Sequence, residues 1–135
     1  MNAVLVDSSV LLDLFTEDPE FYKISLGCLT EWGSRGDLLI NEIVYSEVSV
    51  GFSRIEDLDA ALAGSGFISA PIPREALFLA GKAFLEYRRR GGVKAAPLPD
   101  FFIGAHAAVA SLPLVTRDPA RVRSAFPRVR IIDPR

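Results

Sequence analysis

The stretch Ala3-Val4-Leu5-Val6-Asp7-Ser8-Ser9-Val10-Leu11-Leu12 decides the fold class. A short valine-rich run stops at an aspartate, and a second apolar segment follows almost at once. An apolar run this short, with no polar alternation, reads as a strand buried on both faces. Ser8 and Ser9 are good helix caps, so a helix is expected from Val10. The same grammar recurs along the chain. Strands are expected at 38–40, 67–72, 114–116 and 129–132. Between them, helices are expected after Pro19 behind an Asp18 cap, over 42–52 behind an Asn41 cap, over 56–63, over 73–90, over 101–112 and over 120–126. Residues 93–99 read as a loop. Phe21, Ile24, Cys28, Leu29 and Trp32 fall on one helical face, and so do Ala76, Leu77, Ala80, Ala83, Phe84 and Tyr87. Short apolar strands alternating with helices predict an α/β domain, a three-layer α/β/α sandwich around a mainly parallel sheet.

Composition limits what such a domain can be. At 135 residues the chain is the size of a single domain, expected over 1–135. Half of it is apolar, which excludes a disordered chain. One cysteine, Cys28, excludes a disulfide framework, and one histidine, His106, excludes two-histidine metal motifs. The longest uncharged run, 101–116, is shorter than the roughly 18 residues of a membrane span. The opening apolar stretch has no basic leader and is broken by Asp7 and Asp13, unlike a signal peptide. A soluble cytoplasmic protein, with no membrane partner, is the expectation. No glycine-rich phosphate-binding motif is present. A phosphoacceptor receiver domain fits poorly, because Asp7 is followed by two serines and the third strand leads into Pro73-Arg74.

The net charge of −2 conceals a division. Residues 1–81 hold four basic and thirteen acidic residues, whereas residues 82–135 hold eleven basic and four acidic ones. A basic segment of this kind points to an anionic partner.

Four acids stand where chemistry is expected. Asp7 and Asp118 follow predicted strands, and ligands of open parallel sheets bind beyond the carboxyl ends of strands. Asp100 stands at a helix start, and Glu47 lies among Val44, Val48 and Phe52 on a helix. Two unit charges 4 Å apart repel by about 4 kcal/mol at an effective dielectric near 20. Four carboxylates in one cleft therefore call for a cation. An oxygen-only set selects a hard divalent ion, Mg²⁺ or Mn²⁺, of the kind that binds phosphates and assists phosphodiester cleavage. Taken singly, each acid reads equally well as a solvated surface charge or a cap.

Four segments in order resemble the motifs of PIN-domain ribonucleases. They are Val6-Asp7-Ser8-Ser9-Val10-Leu11-Leu12-Asp13-Leu14-Phe15, then Asn41-Glu42-Ile43-Val44-Tyr45-Ser46-Glu47-Val48, then Pro99-Asp100-Phe101-Phe102-Ile103-Gly104-Ala105-His106-Ala107, and last Leu114-Val115-Thr116-Arg117-Asp118-Pro119 with Phe126-Pro127. More narrowly, the chain resembles the VapC toxins of bacterial and archaeal toxin–antitoxin pairs. The resemblance implies a PIN-like fold and an acidic quartet of Asp7, Glu47, Asp100 and Asp118 holding one or two Mg²⁺ or Mn²⁺ ions. It implies supporting roles for Ser9 and Thr116. It further implies hydrolysis of RNA, typically tRNA or rRNA, a cognate antitoxin as partner, and a homodimer. A catalytically silent PIN scaffold that binds RNA or a partner is the alternative, and the intact quartet argues against it.

Other residues carry weaker expectations. Arg88, Arg89, Arg90 and Lys94 can meet RNA phosphates, or can form a solvated helix end favoured by the helix dipole. Arg117 is placed to meet a phosphate or an antitoxin carboxylate, whereas Arg121 is expected to be solvated. His106 is expected to pack within its alanine-rich helix, and Asp13 to lie on a helix surface.

Overall fold

A computed structural model describes residues 2–92 and 98–135. The expected loop at 93–99 and the basic Lys94 fall largely or wholly outside the described residues. Five strands form one sheet in the order β3-β2-β1-β4-β5, with β1 Val4–Val6, β2 Leu38–Ile40, β3 Phe67–Ser69, β4 Leu114–Val115 and β5 Ile131–Ile132. Every pairing is parallel, as the apolar runs require. Val4, Leu5 and Val6 are completely buried, because helices cover both sides of the central strand.

Seven helices connect the strands: α1 Ser8–Phe15, α2 Tyr22–Gly33, α3 Glu42–Ser49, α4 Ile55–Gly64, α5 Arg74–Arg89, α6 Pro99–Val109 and α7 Ala120–Ala125. The chain steps outward from β1 through β2 to β3, then crosses back to β4 and continues to β5. Right-handed crossovers put α1–α4 over one face and α5–α7 over the other. The packing of α1 on α2 and α3, and of α6 on α5 and α7, follows this division. The strand order reverses between β1 and β4, where Leu5 pairs with Leu114 and Val6 with Val115. That switch point opens a crevice beyond the carboxyl ends of two neighbouring strands. Across the second face, α6 and α7 meet closely at Gly104. A Cβ there would stand 2.6 Å from the buried Phe126 ring, so only glycine fits without displacement.

Several local expectations are corrected. The helix after β1 starts at Ser8 with Asp7 as its cap, because the aspartate rather than the serines accepts the first free N–H. Pro19 does not begin α2. Asp18 does accept N–H groups as the expected cap, those of Glu20 and Phe21, but the helix starts only at Tyr22. The buried line of α2 runs through Ser25 and Leu29, and Ile24 is exposed. On α5, Leu77 is exposed while Ala76, Ala80 and Phe84 are buried. Helix α3 stops at Ser49, three residues short of the expected end, where Gly51 and Phe52 bond back over single turns. Strand β3 is shorter than expected because it stops opposite the last residue of β2, and β5 because it starts only opposite Leu114, the first residue of β4. Among the described residues, no helix is long and apolar enough to cross a membrane.

Candidate active site

Asp7 is the hub of the crevice. It leaves β1 in extended conformation (φ −76°, ψ 154°) and caps α1, so its carboxylate stands where strand turns into helix. Oδ1 accepts the Ser8 N–H at 2.8 Å. Oδ2 accepts the Ser9 hydroxyl at 3.0 Å and the Thr116 hydroxyl at 2.7 Å. The Thr116 hydroxyl in turn accepts the Asp118 N–H at 3.0 Å, and the Ser9 hydroxyl accepts the Arg117 N–H at 3.3 Å. Two small hydroxyls thus tie the end of β4 to the end of β1.

Glu47 enters from α3. The Ser8 hydroxyl donates to its Oε1 at 2.8 Å. Burial pushes the Glu47 carboxyl above its ordinary value; the Ser8 bond opposes this, and the charges of Asp7 and Asp100 add to it. Asp100 enters from the first turn of α6, with Pro99 setting the helix start. Its carboxyl is also raised, first by burial and then by the Asp7 charge. Arg121 partly offsets this, and Asp118 adds to the rise. The Ser8 hydroxyl joins Glu47 to the Asp7 turn, and the Thr116 hydroxyl joins Asp7 to the Asp118 backbone, so three of the acids are linked through two hydroxyls. Asp118 itself is exposed. Asp100 and Asp118 share a cavity of about 480 Å³ with Tyr87, Arg90, Arg121 and Ser124. A larger cavity of about 650 Å³, lined by Leu112, Pro113, Phe126 and Val129, contains none of the four acids.

Among the described residues, no three Asp, Glu, His or Cys side chains form a ready-made metal cluster. The donor set nevertheless fits Mg²⁺ or Mn²⁺. Mg²⁺ keeps several waters and takes one or two protein carboxylates, so it does not need an all-protein cage. Glu47 and Asp100, both pushed up first by burial and then by neighbouring acids, have something to gain from a divalent cation.

Arginines distribute differently from the sequence expectation. Arg88, Arg89 and Arg90 are exposed at the end of α5, and Arg90 lines the cavity. Arg121 is exposed, as expected, and also lines the cavity, with its Nη1 3.6 Å from Asp100. Arg117 turns away from Asp118. Its Nε and Nη2 donate to Asp13 at 2.6 and 2.8 Å, and its guanidinium lies 3.9 Å from the centre of the Phe21 ring. Asp13 is therefore no surface acid: it is only 2% exposed, and it also accepts the Ser25 hydroxyl at 2.6 Å.

His106 is buried in α6, as its surroundings imply. Asn41 fixes its state. The Asn41 Oδ1 accepts the Val44 N–H as the cap of α3, which turns Nδ2 toward His106 Nδ1 at 3.0 Å. Nδ1 must accept, so the ring proton sits on Nε2. Burial holds the ring below its ordinary pKa and keeps it neutral. Sequence reasoning missed Ser8 as the link between Asp7 and Glu47. It treated Ser8 only as a cap, although a hydroxyl directly after the hub acid is the available signal.

Comparison with known proteins agrees with this fold. No curated protein matches the sequence. Among solved structures, a chain of VapBC2 from Rickettsia felis bound to a DNA fragment from their promoter superposes with a TM-score of 0.74. It is 16% identical, over 97% of this chain and 98% of that one. A chain of a toxin–antitoxin complex from Klebsiella pneumoniae is 25% identical over 98% of both chains, with a TM-score of 0.71. A chain of DNA-bound VapBC from Salmonella typhimurium is 22% identical over the full length of both, with a TM-score of 0.69. Residues 4–128 match the sequence profile of the PIN domain, a span that holds all four acids and every strand up to the last, so the chain belongs to the PIN-domain family.

Proposed function

We propose that this protein is a Mg²⁺- or Mn²⁺-dependent endoribonuclease, acting on tRNA or rRNA as the toxin of a VapBC-type toxin–antitoxin pair. The observation that carries the reading is the hydroxyl-linked set at the β1–β4 switch point: Thr116 ties Asp7 to the Asp118 backbone, Ser8 ties the Asp7 turn to Glu47, and Asp118 shares a cavity with Asp100. The likeness to chains of VapBC complexes supports the antitoxin as partner. The homodimer and a cytoplasmic location belong to the same reading.

Asp7 and Asp100 would hold the ion, with Asp118 and Glu47 acting directly or through water. The ion supplies positive charge against the phosphate of the scissile bond. Asp7 is kept rigid by three hydrogen bonds and is suited to holding rather than moving a proton. Glu47 has one oxygen occupied by Ser8 and the other free of that bond. Its raised proton affinity suits it to orient a water and accept its proton at Oε2. As the water oxygen bonds to phosphorus, one ester P–O bond breaks, and the departing ribose oxygen leaves as an alkoxide that takes a proton from solvent. Arg90 and Arg121 add positive charge at the cavity wall, where an RNA phosphate would lie.

The test is incubation of purified, antitoxin-free protein with total cellular RNA. Discrete cleavage with Mn²⁺, abolished by EDTA, is the expected result. RNA left intact with Mn²⁺ over long incubation would favour the silent binding scaffold instead.

A further inference from the structure

We propose that Asp13 and Arg117 are positioning residues: together they set how the 116–118 segment docks on α1, and so where Asp118 stands relative to Asp7. The proposal rests on the metal-site reading above.

Ser9 and Asp13 are four residues apart on α1, so they share one helical face. Both grip the same residue. Ser9 takes the Arg117 N–H at 3.3 Å, and Asp13 takes the Arg117 guanidinium with two bonds of 2.6 and 2.8 Å. A backbone hold and a two-pronged side-chain hold on one residue fix both its position and its orientation. The neighbours on either side are the ones that matter. Thr116 donates to Asp7, and Asp118 is in the quartet.

The clamp is built to be stiff. The guanidinium fork matches the carboxylate, so little freedom remains once both bonds form. Ser25 from α2 donates to Asp13 Oδ2 at 2.6 Å, and the Phe21 ring covers the guanidinium at 3.9 Å. The Arg117 side chain is only 22% exposed. Its charge is thus spent inside the protein, which speaks against a direct phosphate contact. Supporting bonds of this sort around metal ligands typically carry 10- to 100-fold in metal affinity.

Three readings of the pair separate in one experiment on the full chain. Asp13→Asn and Arg117→Lys are compared with wild type for Mn²⁺ affinity by calorimetry, for kcat and KM on RNA, and for fold by near-UV circular dichroism. Positioning predicts Mn²⁺ affinity lower by about tenfold or more and kcat lower, with KM for RNA unchanged. Mn²⁺ affinity equal to wild type in folded variants overturns it, leaving only a stabilising pair. A rise in KM with Mn²⁺ affinity intact also overturns it, in favour of a phosphate contact. If Asp13→Asn does not fold, Ser25→Ala removes one bond from the clamp and is judged by the same criteria. Wild type that binds Mn²⁺ but cleaves no RNA would sink the nuclease reading while leaving the clamp measurable.

Discussion

Helix α1 carries two acids with opposite fates. Asp13, in its second turn, is buried and neutralised: Arg117 grips both oxygens and Ser25 adds a third bond. Asp7, at its start, is also buried but meets only hydroxyls and an N–H, and the same hydroxyl-bearing residues lead on to Glu47 and to the Asp118 backbone. The nearest cation recorded for the four acids is Arg121, 3.6 Å from Asp100. The difference separates structure from function. Among the described residues, Asp13 has a cation fitted to both oxygens, whereas Asp7 has none bonded to it, and under the proposed function that is the charge a metal ion would neutralise.

Substitutions can break this contrast. Asp7→Asn keeps a good helix cap but removes the charge at the hub. RNA cleavage should fall on the order of 10²–10³-fold, with the melting temperature held or raised. A lowered melting temperature would place Asp7 with Asp13 as a structural acid. Asp13→Leu should behave in the opposite way. It strands the guanidinium of a mostly buried Arg117 and should cost about 3 kcal/mol in urea unfolding.

Acidity sharpens the comparison. Glu47 and Asp100 have raised proton affinities in the folded chain. The folded state therefore binds more protons than the unfolded one across that window. Their contribution is favourable below the ordinary carboxylate range and is lost as pH rises through the raised values. Mn²⁺ should reverse that loss, raising stability at pH 7 by about 2.7 kcal/mol at a hundred times its dissociation constant and by much less near pH 4. Thermal scans with Mn²⁺ and with EDTA at both pH values provide the measurement. An equal effect at both would disconnect the ion from the carboxylates. The smallest change is expected from Arg121→Gln. The pair with Asp100 is long and partly solvated, so stability should move by less than about 1 kcal/mol. The Asp100 carboxyl should nevertheless titrate still higher, as read by NMR.

The strands were legible because each is a short apolar run bounded by a polar or turn-forming residue, such as Asp7 after Val6 or Asn41 after Ile40. Their lengths were less so, since a strand lasts only while its neighbour offers partners: β3 stops at Ser69, opposite the last residue of β2. The four acids could be named because two stand just beyond strand ends and the motifs recur in order. What escaped was pairing at a distance. Asp13 looks like any helical acid until Arg117, 104 residues later, is seen to reach it. Arg121 is solvated, as its sequence suggests, but its nearness to Asp100 shows only once the fold lays α7 beside α6.

The Thr116–Asp7 bond spans 109 residues and forms only where β4 lies against β1. In folding terms, the hub closes one of the longest loops the chain can make, and such contacts are entropically costly to form early. The helices around β1, β2 and β3 can be in place while the crevice is still incomplete. The hub exists only once β4 lies against β1, so the site itself reports whether the two halves of the sheet have joined.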